Sequence, residues 1–220
     1  KEEVIEDAVL ASNLLKNDSR IDPERVFIIG HSMGAMLAPR IDAEGGNFRG
    51  MVLMAGTPRK LEEVLADQLT EMLSQLPPAV RKSTEKKMGK IMAGFDNLYA
   101  ITDEEAKKRK FGGGTTMYYF KEMGEHPAEV YLKATGKPML ILQGEADFQV
   151  KADTDFRMYK EILADHPDAT FILYENLNHA FVPSVYGSLL KAKQEYAKEQ
   201  HIGENVISDI ARWIWRVSEA

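Results

Sequence analysis

The sequence predicts an α/β fold in which about four parallel strands are flanked by helices. Four short apolar runs, each rich in β-branched or aromatic residues, predict the strands. No run alternates polar with apolar residues, which is typical of strands that are buried on both faces of a parallel sheet. The predicted strands are 25–29, 51–55, 139–142 and 170–174.

Apolar residues at helical spacing predict helices between these strands. The helices are expected over 2–16, 33–41 and 155–164, and over a later stretch that includes 206–217. Gly30, Gly56 and Gly144 follow three of the strands, where the chain is expected to turn sharply toward a helix. Alternation of strands and helices is the pattern of a parallel sheet joined by right-handed crossovers.

A helical insertion is predicted between the second and third strands. About eighty residues there contain no convincing strand, and this is too long for an ordinary loop. Helical spacing is present over 61–73, 80–92 and 118–132, and Gly112–Gly114 is expected to be a flexible turn. We therefore predict a hydrolase-like core formed by 1–56 and 139–220 and a helical cap formed by 57–138.

Composition excludes several classes of function. Twenty-eight basic and 34 acidic side chains give a net charge of −6, which argues against nucleic-acid binding. The chain has no cysteine, so thiolate metal sites and cysteine nucleophiles are excluded. No run approaches the roughly 20 apolar residues of a membrane-spanning helix, and no signal peptide is visible. We expect no metal and no cofactor, and a cytoplasmic location with export left open.

Residues 30–34 match the pattern G-x-S-x-G between a predicted strand and a predicted helix. A serine at the apex of so tight a turn is expected to have a strained backbone, and Gly30 and Gly34 are expected to make room for strand and helix. The turn predicts Ser32 as a nucleophile, with the backbone amide of Met33 as one oxyanion donor. An ordinary glycine-flanked turn with an inert serine is the alternative.

A serine nucleophile requires a nearby base. The five histidines are at 31, 126, 166, 179 and 201. His179 follows the fourth strand and is expected at the carboxyl edge of the sheet, where open α/β sheets place their sites. His31 is expected to point away from Ser32 and is assigned to substrate binding, and the other three are expected at the surface. His179 as a loop histidine with a capping role is the alternative.

Asp147 is the predicted acid that orients the base. It lies three residues beyond Gly144, on the loop after the third strand. Glu145 is a competitor that lies close to the strand end, and Asp153 is better suited to cap the helix that begins near Asp155.

Four stretches together carry a resemblance to a known family, and they are 30–35, 137–150, 177–181 and 206–214. The chain resembles the α/β-hydrolase superfamily, and more narrowly the serine carboxylesterases that look like bacterial cinnamoyl/feruloyl esterases and dienelactone-hydrolase-like enzymes. This resemblance implies Ser32 as nucleophile, Asp147 as acid and His179 as base, in the chain order of that superfamily. It also implies a cap over the acyl pocket.

The chain differs from the family in what precedes Ser32. Only 31 residues precede it, whereas the family has several strands and an oxyanion-hole loop there. We therefore expect a C-terminal fragment of a longer enzyme, with a minimal four-stranded hydrolase as the alternative. The strand before Gly30 would then expose its outer edge, and an N-terminal half or a second copy of the chain is the expected partner.

The predicted function is hydrolysis of a small-molecule carboxylic ester through an acyl-enzyme. Met117, Tyr118 and Tyr119 in the insertion are predicted to bind the substrate, and packing between cap helices is the alternative reading of each. A non-catalytic module, a serine peptidase and an acyltransferase are the alternative functions, because sequence does not separate activities that share one triad.

Overall fold

The computed structural model describes residues 2–112 and 114–219. The strands are β1 (Ile28–His31), β2 (Met51–Met54), β3 (Lys110–Gly112), β4 (Thr115–Thr116), β5 (Met139–Gly144) and β6 (Ala169–Tyr174). Four of them form a parallel sheet in the order β1-β2-β5-β6. The predicted α/β fold with about four parallel strands is therefore confirmed.

Ten α-helices lie within the described residues. They are α1 (Glu2–Lys16), α2 (Met33–Ile41), α3 (Leu61–Ser74), α4 (Pro78–Met92), α5 (Asp103–Lys108), α6 (Met117–Glu125), α7 (Ala128–Ala134), α8 (Arg157–Ile162), α9 (Ala192–Tyr196) and α10 (Glu204–Glu219). None of them is both long enough and apolar enough to cross a membrane.

Burial along the sheet follows from the strand order. Every residue of the central strands β2 and β5 is buried, as their unbroken apolar runs predict. The outer strands are partly exposed, with Ile29 of β1 at 52% and Leu173 of β6 at 45%. On one side, α10 covers the sheet with Val206, Trp213 and Val217, which pack into the core.

The chain divides into two compact units. The first unit comprises Lys1–Pro58, Ala128–Gly187 and Lys193–Ala220, and the second comprises Arg59–Pro127 and Ser188–Ala192. The predicted cap extends to residue 138, whereas α7 belongs to the first unit because it packs on α2. The short segment 188–192, predicted as part of the core, groups with the second unit because it contacts α3.

The second unit is helical except for one short hairpin. The strands β3 and β4 pair in antiparallel fashion, so the expectation of no strand in this region is wrong. Gly113 of the predicted flexible turn lies outside the described residues. The helix predicted over 118–132 is two helices, because Pro127 has no N–H to continue the hydrogen-bond ladder after α6.

Candidate active site

The turn between β1 and α2 holds Ser32 in a strained conformation. Its φ is 56° and its ψ is −116°, a region that residues other than glycine seldom occupy. The Ser32 amide donates to the carbonyl of Met54 on β2 at 2.8 Å, and the Ser32 carbonyl accepts from Ala35 at 3.0 Å. The strained turn expected from the sequence is present, and it is anchored through the backbone.

The two glycines of the motif differ in what they contribute. A Cβ at Gly30 would lie 2.3 Å from the carbonyl oxygen of Gly34 and 2.6 Å from the amide nitrogen of Ala35. Only glycine therefore fits at that position without a shift of backbone. A Cβ at Gly34 would meet no described atom within 4 Å, so the expectation that Gly34 makes room for the turn is wrong.

Three side chains remote in sequence meet beside this turn. His179 donates from Nδ1 to Oδ2 of Asp147 at 2.8 Å, and the Ser32 hydroxyl donates to His179 Nε2 at 2.9 Å. This direction of donation follows because an ionised carboxylate only accepts, which places the ring proton on Nδ1. His179 is 7% exposed and Asp147 is 5% exposed. An imidazole in such a chain can accept a hydroxyl proton while the carboxylate stabilises the resulting imidazolium.

The Asp147 carboxylate is held by four donors. Its Oδ1 accepts from the amides of Gln149 at 2.8 Å and Val150 at 3.0 Å. Its Oδ2 accepts from Gln143 Nε2 at 2.8 Å as well as from His179. Gln143 is buried at the end of β5 and also donates to the Val150 carbonyl at 3.0 Å. Sequence reasoning missed Gln143, although an amide at the end of an otherwise apolar buried strand is a usable signal.

The loop that carries His179 is tightly folded. Asn176 and Phe181, on either side of His179, have φ values of 58° and 57°. Asn178 is fully buried, and its Oδ1 accepts from the Ala180 amide at 2.9 Å. These contacts hold the loop in a single conformation, although two of its residues have unfavourable positive φ values.

Gly144 allows the histidine loop to approach the acid loop. A Cβ at Gly144 would lie 2.3 Å from the Leu177 carbonyl oxygen and 2.8 Å from that of Asn178. The Ala146 amide donates to the same Leu177 carbonyl at 3.0 Å. The two loops are therefore packed backbone against backbone.

His31 contacts the predicted base. Its Nε2 donates to the backbone carbonyl of His179 at 2.7 Å, and the two ring centroids lie 5.0 Å apart. The His31 ring also lies edge-on to Phe181, with centroids 6.3 Å apart. This contact supports the histidine loop, and the assignment of His31 to substrate binding stays a prediction.

The competing acids differ from the buried Asp147 in their exposure. Glu145 and Asp153 are both exposed. Asp153 does not cap the following turn as expected. The buried Asp155 accepts the Lys151 amide at 3.0 Å there, and its other oxygen accepts from the Thr57 hydroxyl at 2.6 Å.

The remaining histidines are placed as follows. His126 and His201 are exposed, as expected, and His126 lies 3.7 Å from Glu122 on α6. His166 is half-buried, and its Nε2 donates to the Thr135 carbonyl at 3.1 Å. His166 therefore joins two loops of the first unit, and it is less exposed than His126 and His201.

The predicted substrate-binding residues of the insertion belong to the second unit. Met117 is 4% exposed and packs with Leu98 and Phe120 in an apolar cluster. Tyr118 and Tyr119 pack against the same cluster. Packing between cap elements accounts for these contacts, and substrate binding by the three residues stays a prediction.

No group of three or more potential metal ligands occurs among the residues that the structure describes.

Beside the acid loop, Gln149 Nε2 donates to the Tyr196 hydroxyl at 2.6 Å. Burial, reinforced by the nearby carboxylates of Asp147 and Glu195, raises the pKa of Tyr196 to about 12. Tyr196 is therefore a neutral phenol at ordinary pH.

A parallel sheet, a strained serine turn and a hydrogen-bonded serine, histidine and aspartate define a class of protein, the α/β-hydrolases. The family model described as serine aminopeptidase, S33, matches residues 2–183 of the chain. The chain therefore belongs to this serine hydrolase family.

Two similar proteins refine this placement. The chain is 32% identical to esterase EstD of Thermotoga maritima over 214 residues, which is 97% of this chain and 48% of EstD. It thus spans about half the length of that relative. One structure of the Pyrococcus furiosus esterase Pf2001 superposes with a TM-score of 0.53 at 15% identity, covering 96% of this chain and 61% of Pf2001. At that identity the likeness shows the fold alone, and the predicted α/β-hydrolase fold is confirmed.

Proposed function

We propose that this chain carries the nucleophile, base and acid of a carboxylic-ester hydrolase that works through an acyl-enzyme. The observation that carries the proposal is the unbroken hydrogen-bonded chain from Asp147 through His179 to Ser32. The named activity of EstD, an esterase, supports an ester as the substrate.

In the first half-reaction, Ser32 Oγ forms a bond to the ester carbonyl carbon and its proton passes to His179 Nε2. Asp147 keeps the proton of Nδ1 in place and stabilises the imidazolium. As the tetrahedral intermediate collapses, the bond to the alcohol oxygen breaks and His179 returns its proton to that oxygen. In the second half-reaction, water attacks the acyl-enzyme with His179 again as base, and the acid product and free Ser32 are released.

The oxyanion of each intermediate requires a preorganised donor. Met33 is the first residue of α2, so its amide lies at the positive end of the helix dipole. We propose this amide as one oxyanion donor. Loss of one such donor typically raises the barrier by about 2.7–4 kcal/mol, so a second donor would matter greatly to the rate.

The partner of the β1 edge is also a proposal. Among the described residues, β1 pairs with β2 alone, and an unpaired edge of this kind favours pairing with another polypeptide. The N-terminal part of a longer chain and a second copy of this chain are the two candidates. Either could bring the second oxyanion donor.

The acyl group stays a prediction at the level of chemistry. The narrower resemblance to cinnamoyl/feruloyl and dienelactone-hydrolase-like enzymes stays a prediction, and the apolar and aromatic residues of the second unit are the basis for proposing short or hydroxycinnamate-like acyl groups. The family description names an aminopeptidase, so a peptidase is the second candidate. A serine triad serves both reactions, and the pocket decides between them.

The decisive experiment combines covalent labelling with paired substrates. A fluorophosphonate should add its mass to Ser32, and hydrolysis of p-nitrophenyl butyrate should be lost in Ser32→Ala. Ser208→Ala, which removes an exposed hydroxyl on α10, is the matched control and should keep full activity. Label on another residue, or activity that survives in Ser32→Ala, would contradict the assignment.

The alternative functions give different results in the same assay. A peptidase would hydrolyse an aminoacyl p-nitroanilide faster than the p-nitrophenyl ester, with the same dependence on Ser32. A non-catalytic module would hydrolyse neither substrate above the Ser32→Ala background and would take no label.

A further inference from the structure

Glu195 on α9 is a fully buried carboxylate in the first unit. Its Oε1 accepts from Asn178 Nδ2 at 3.0 Å and from the Val185 amide at 3.0 Å. Its Oε2 accepts from the Tyr186 amide at 2.7 Å. These donors, and the Ser184 side chain that also hydrogen-bonds to Glu195, belong to the loop that carries His179. One carboxylate therefore holds both the start and the end of that loop.

The contact to Asn178 is the one nearest to the candidate base. Asn178 immediately precedes His179 and is itself fully buried. While its Nδ2 is held by Glu195, its Oδ1 accepts from the Ala180 amide on the other side of His179 at 2.9 Å. The side-chain amide of Asn178 thus links the residue before His179 to the residue after it, and Glu195 fixes the orientation of this amide.

The donors to the Glu195 carboxylate are uncharged groups, namely the Asn178 side-chain amide and the backbone amides of Val185 and Tyr186. Although burial acts to raise its pKa, the hydrogen bonds from Asn178, Val185, Tyr186 and the Ser184 side chain lower the pKa of Glu195 below its ordinary value. The group is therefore ionised at neutral pH, and charge-assisted hydrogen bonds of this kind are about twice as strong as neutral ones.

The histidine loop needs such an anchor because its backbone is strained. Asn176 and Phe181 both have positive φ, and strained residues persist only where surrounding contacts over-determine them. The neighbouring residue Tyr196 contacts the acid loop, through Gln149 at 2.6 Å and through a ring contact with Phe148 at 5.9 Å between centroids. Consecutive residues of α9 therefore touch the loops of both the base and the acid.

We infer that Glu195 is a positioning residue for His179, which sets the imidazole against Ser32 by anchoring Asn178 and the end of the histidine loop. This inference rests on the proposed function. Glu195 touches neither reacting atom, and it acts through the loop alone. Small misplacements of catalytic groups are enough to reduce turnover strongly.

The test is Glu195→Gln, with Glu199→Gln as a matched control because Glu199 is exposed and lies four residues further on. Turnover of p-nitrophenyl butyrate should fall at least about tenfold in Glu195→Gln, with KM within about twofold, because proton transfer and not binding is disturbed. Glu195→Asp keeps the charge but shortens its reach, so it should rescue part of the loss. Glu199→Gln should behave as wild type.

A second readout does not depend on activity. Amide hydrogen exchange at Val185 and Tyr186 should become at least about tenfold faster in Glu195→Gln and stay unchanged in Glu199→Gln. Val217→Ala, which truncates a core residue of α10, controls for general loss of stability. It should lower Tm while kcat measured well below Tm is kept.

Each outcome decides the inference. Faster exchange with kcat unchanged in Glu195→Gln would overturn it, because the anchor would then be structural only. An equal loss of kcat in Val217→Ala would overturn it as well. A wild-type chain with no Ser32-dependent turnover and no fluorophosphonate label on Ser32 would overturn the proposed function. If that chain kept the exchange difference, anchoring of the histidine loop by Glu195 would still be supported.

Discussion

The candidate site is built in two different ways in two regions of the first unit. At Ser32 the turn is held by backbone, through the positive φ of Ser32, its amide bond to Met54 and the close approach at Gly30. At Asp147 and His179 the loops are held by buried polar side chains. The serine turn is therefore fixed by backbone contacts, whereas the acid and base loops also depend on buried side-chain groups.

This difference teaches where substitutions act. The serine turn should fail when a side chain is added at Gly30, because backbone atoms of Gly34 and Ala35 occupy that space. The loops of the acid and the base should fail when a side chain is shortened or loses a hydrogen-bonding group, because their order comes from those groups.

The largest effect is expected from Gly30→Ala. The new Cβ would meet backbone atoms of Gly34 and Ala35, which cannot move as a flexible side chain can. We expect a loss of about 3 kcal/mol in the free energy of unfolding and a fall of roughly 6–12 °C in Tm. Thermal unfolding followed by circular dichroism measures this.

Gly34→Ala is the internal control for the serine turn. A Cβ there meets no described atom within 4 Å, and alanine favours the helical conformation by about 1 kcal/mol over glycine. An unchanged or higher Tm is expected. Equal damage from both substitutions would break the comparison, since a general intolerance of the turn would then explain the result.

A smaller effect on stability but a clear effect on activity is expected from Gln143→Leu. This variant removes the donor to Asp147 and leaves the Val150 carbonyl without it, which costs about 1–3 kcal/mol. We expect kcat for p-nitrophenyl butyrate to fall roughly 10- to 100-fold. The exposed Gln194→Leu serves as control, and a kcat within twofold of wild type in Gln143→Leu would refute a role for this amide.

The smallest effect is expected from Tyr159→Phe, which sharpens the comparison. The Tyr159 hydroxyl is buried and has no hydrogen-bond partner within the described part of the chain. Removing an unsatisfied buried group should leave Tm unchanged or raise stability by up to about 1 kcal/mol, with activity intact. Urea unfolding tests this. A clear loss of stability would mean that the buried Tyr159 hydroxyl stabilises the first unit although it has no hydrogen-bond partner among the described residues.

Much of the fold was predictable from the sequence because burial leaves a pattern. The central strands β2 and β5 are buried on both faces, and their apolar runs were placed nearly to the residue. β1 was predicted about three residues early, since 23–25 form a helical turn and pairing with β2 begins only at Ile28. Strand ends depend on the neighbouring strand, which local sequence does not specify.

The residues of the candidate site also differ in whether a sequence pattern reveals them. The position of Ser32 was predictable because a tight backbone turn imposes a short motif. The meeting of His179 and Asp147 was predictable because parallel strands bring their following loops to one edge, and the catalytic roles of all three residues stay predictions. Gln143 and Glu195 were missed. Glu195 lies in a polar stretch with no distinguishing spacing, and its role arises only from folding against a loop well before it in sequence.

The anchoring of His179 by a residue that follows it has a consequence for biosynthesis. During vectorial synthesis the serine turn can form once Met54 has left the ribosome, because its partners all precede that point. The histidine loop must wait for Glu195, which is translated later. A nascent chain that stalls between these positions would present Ser32 in its turn without a fixed His179, and under the proposed function it would be inactive.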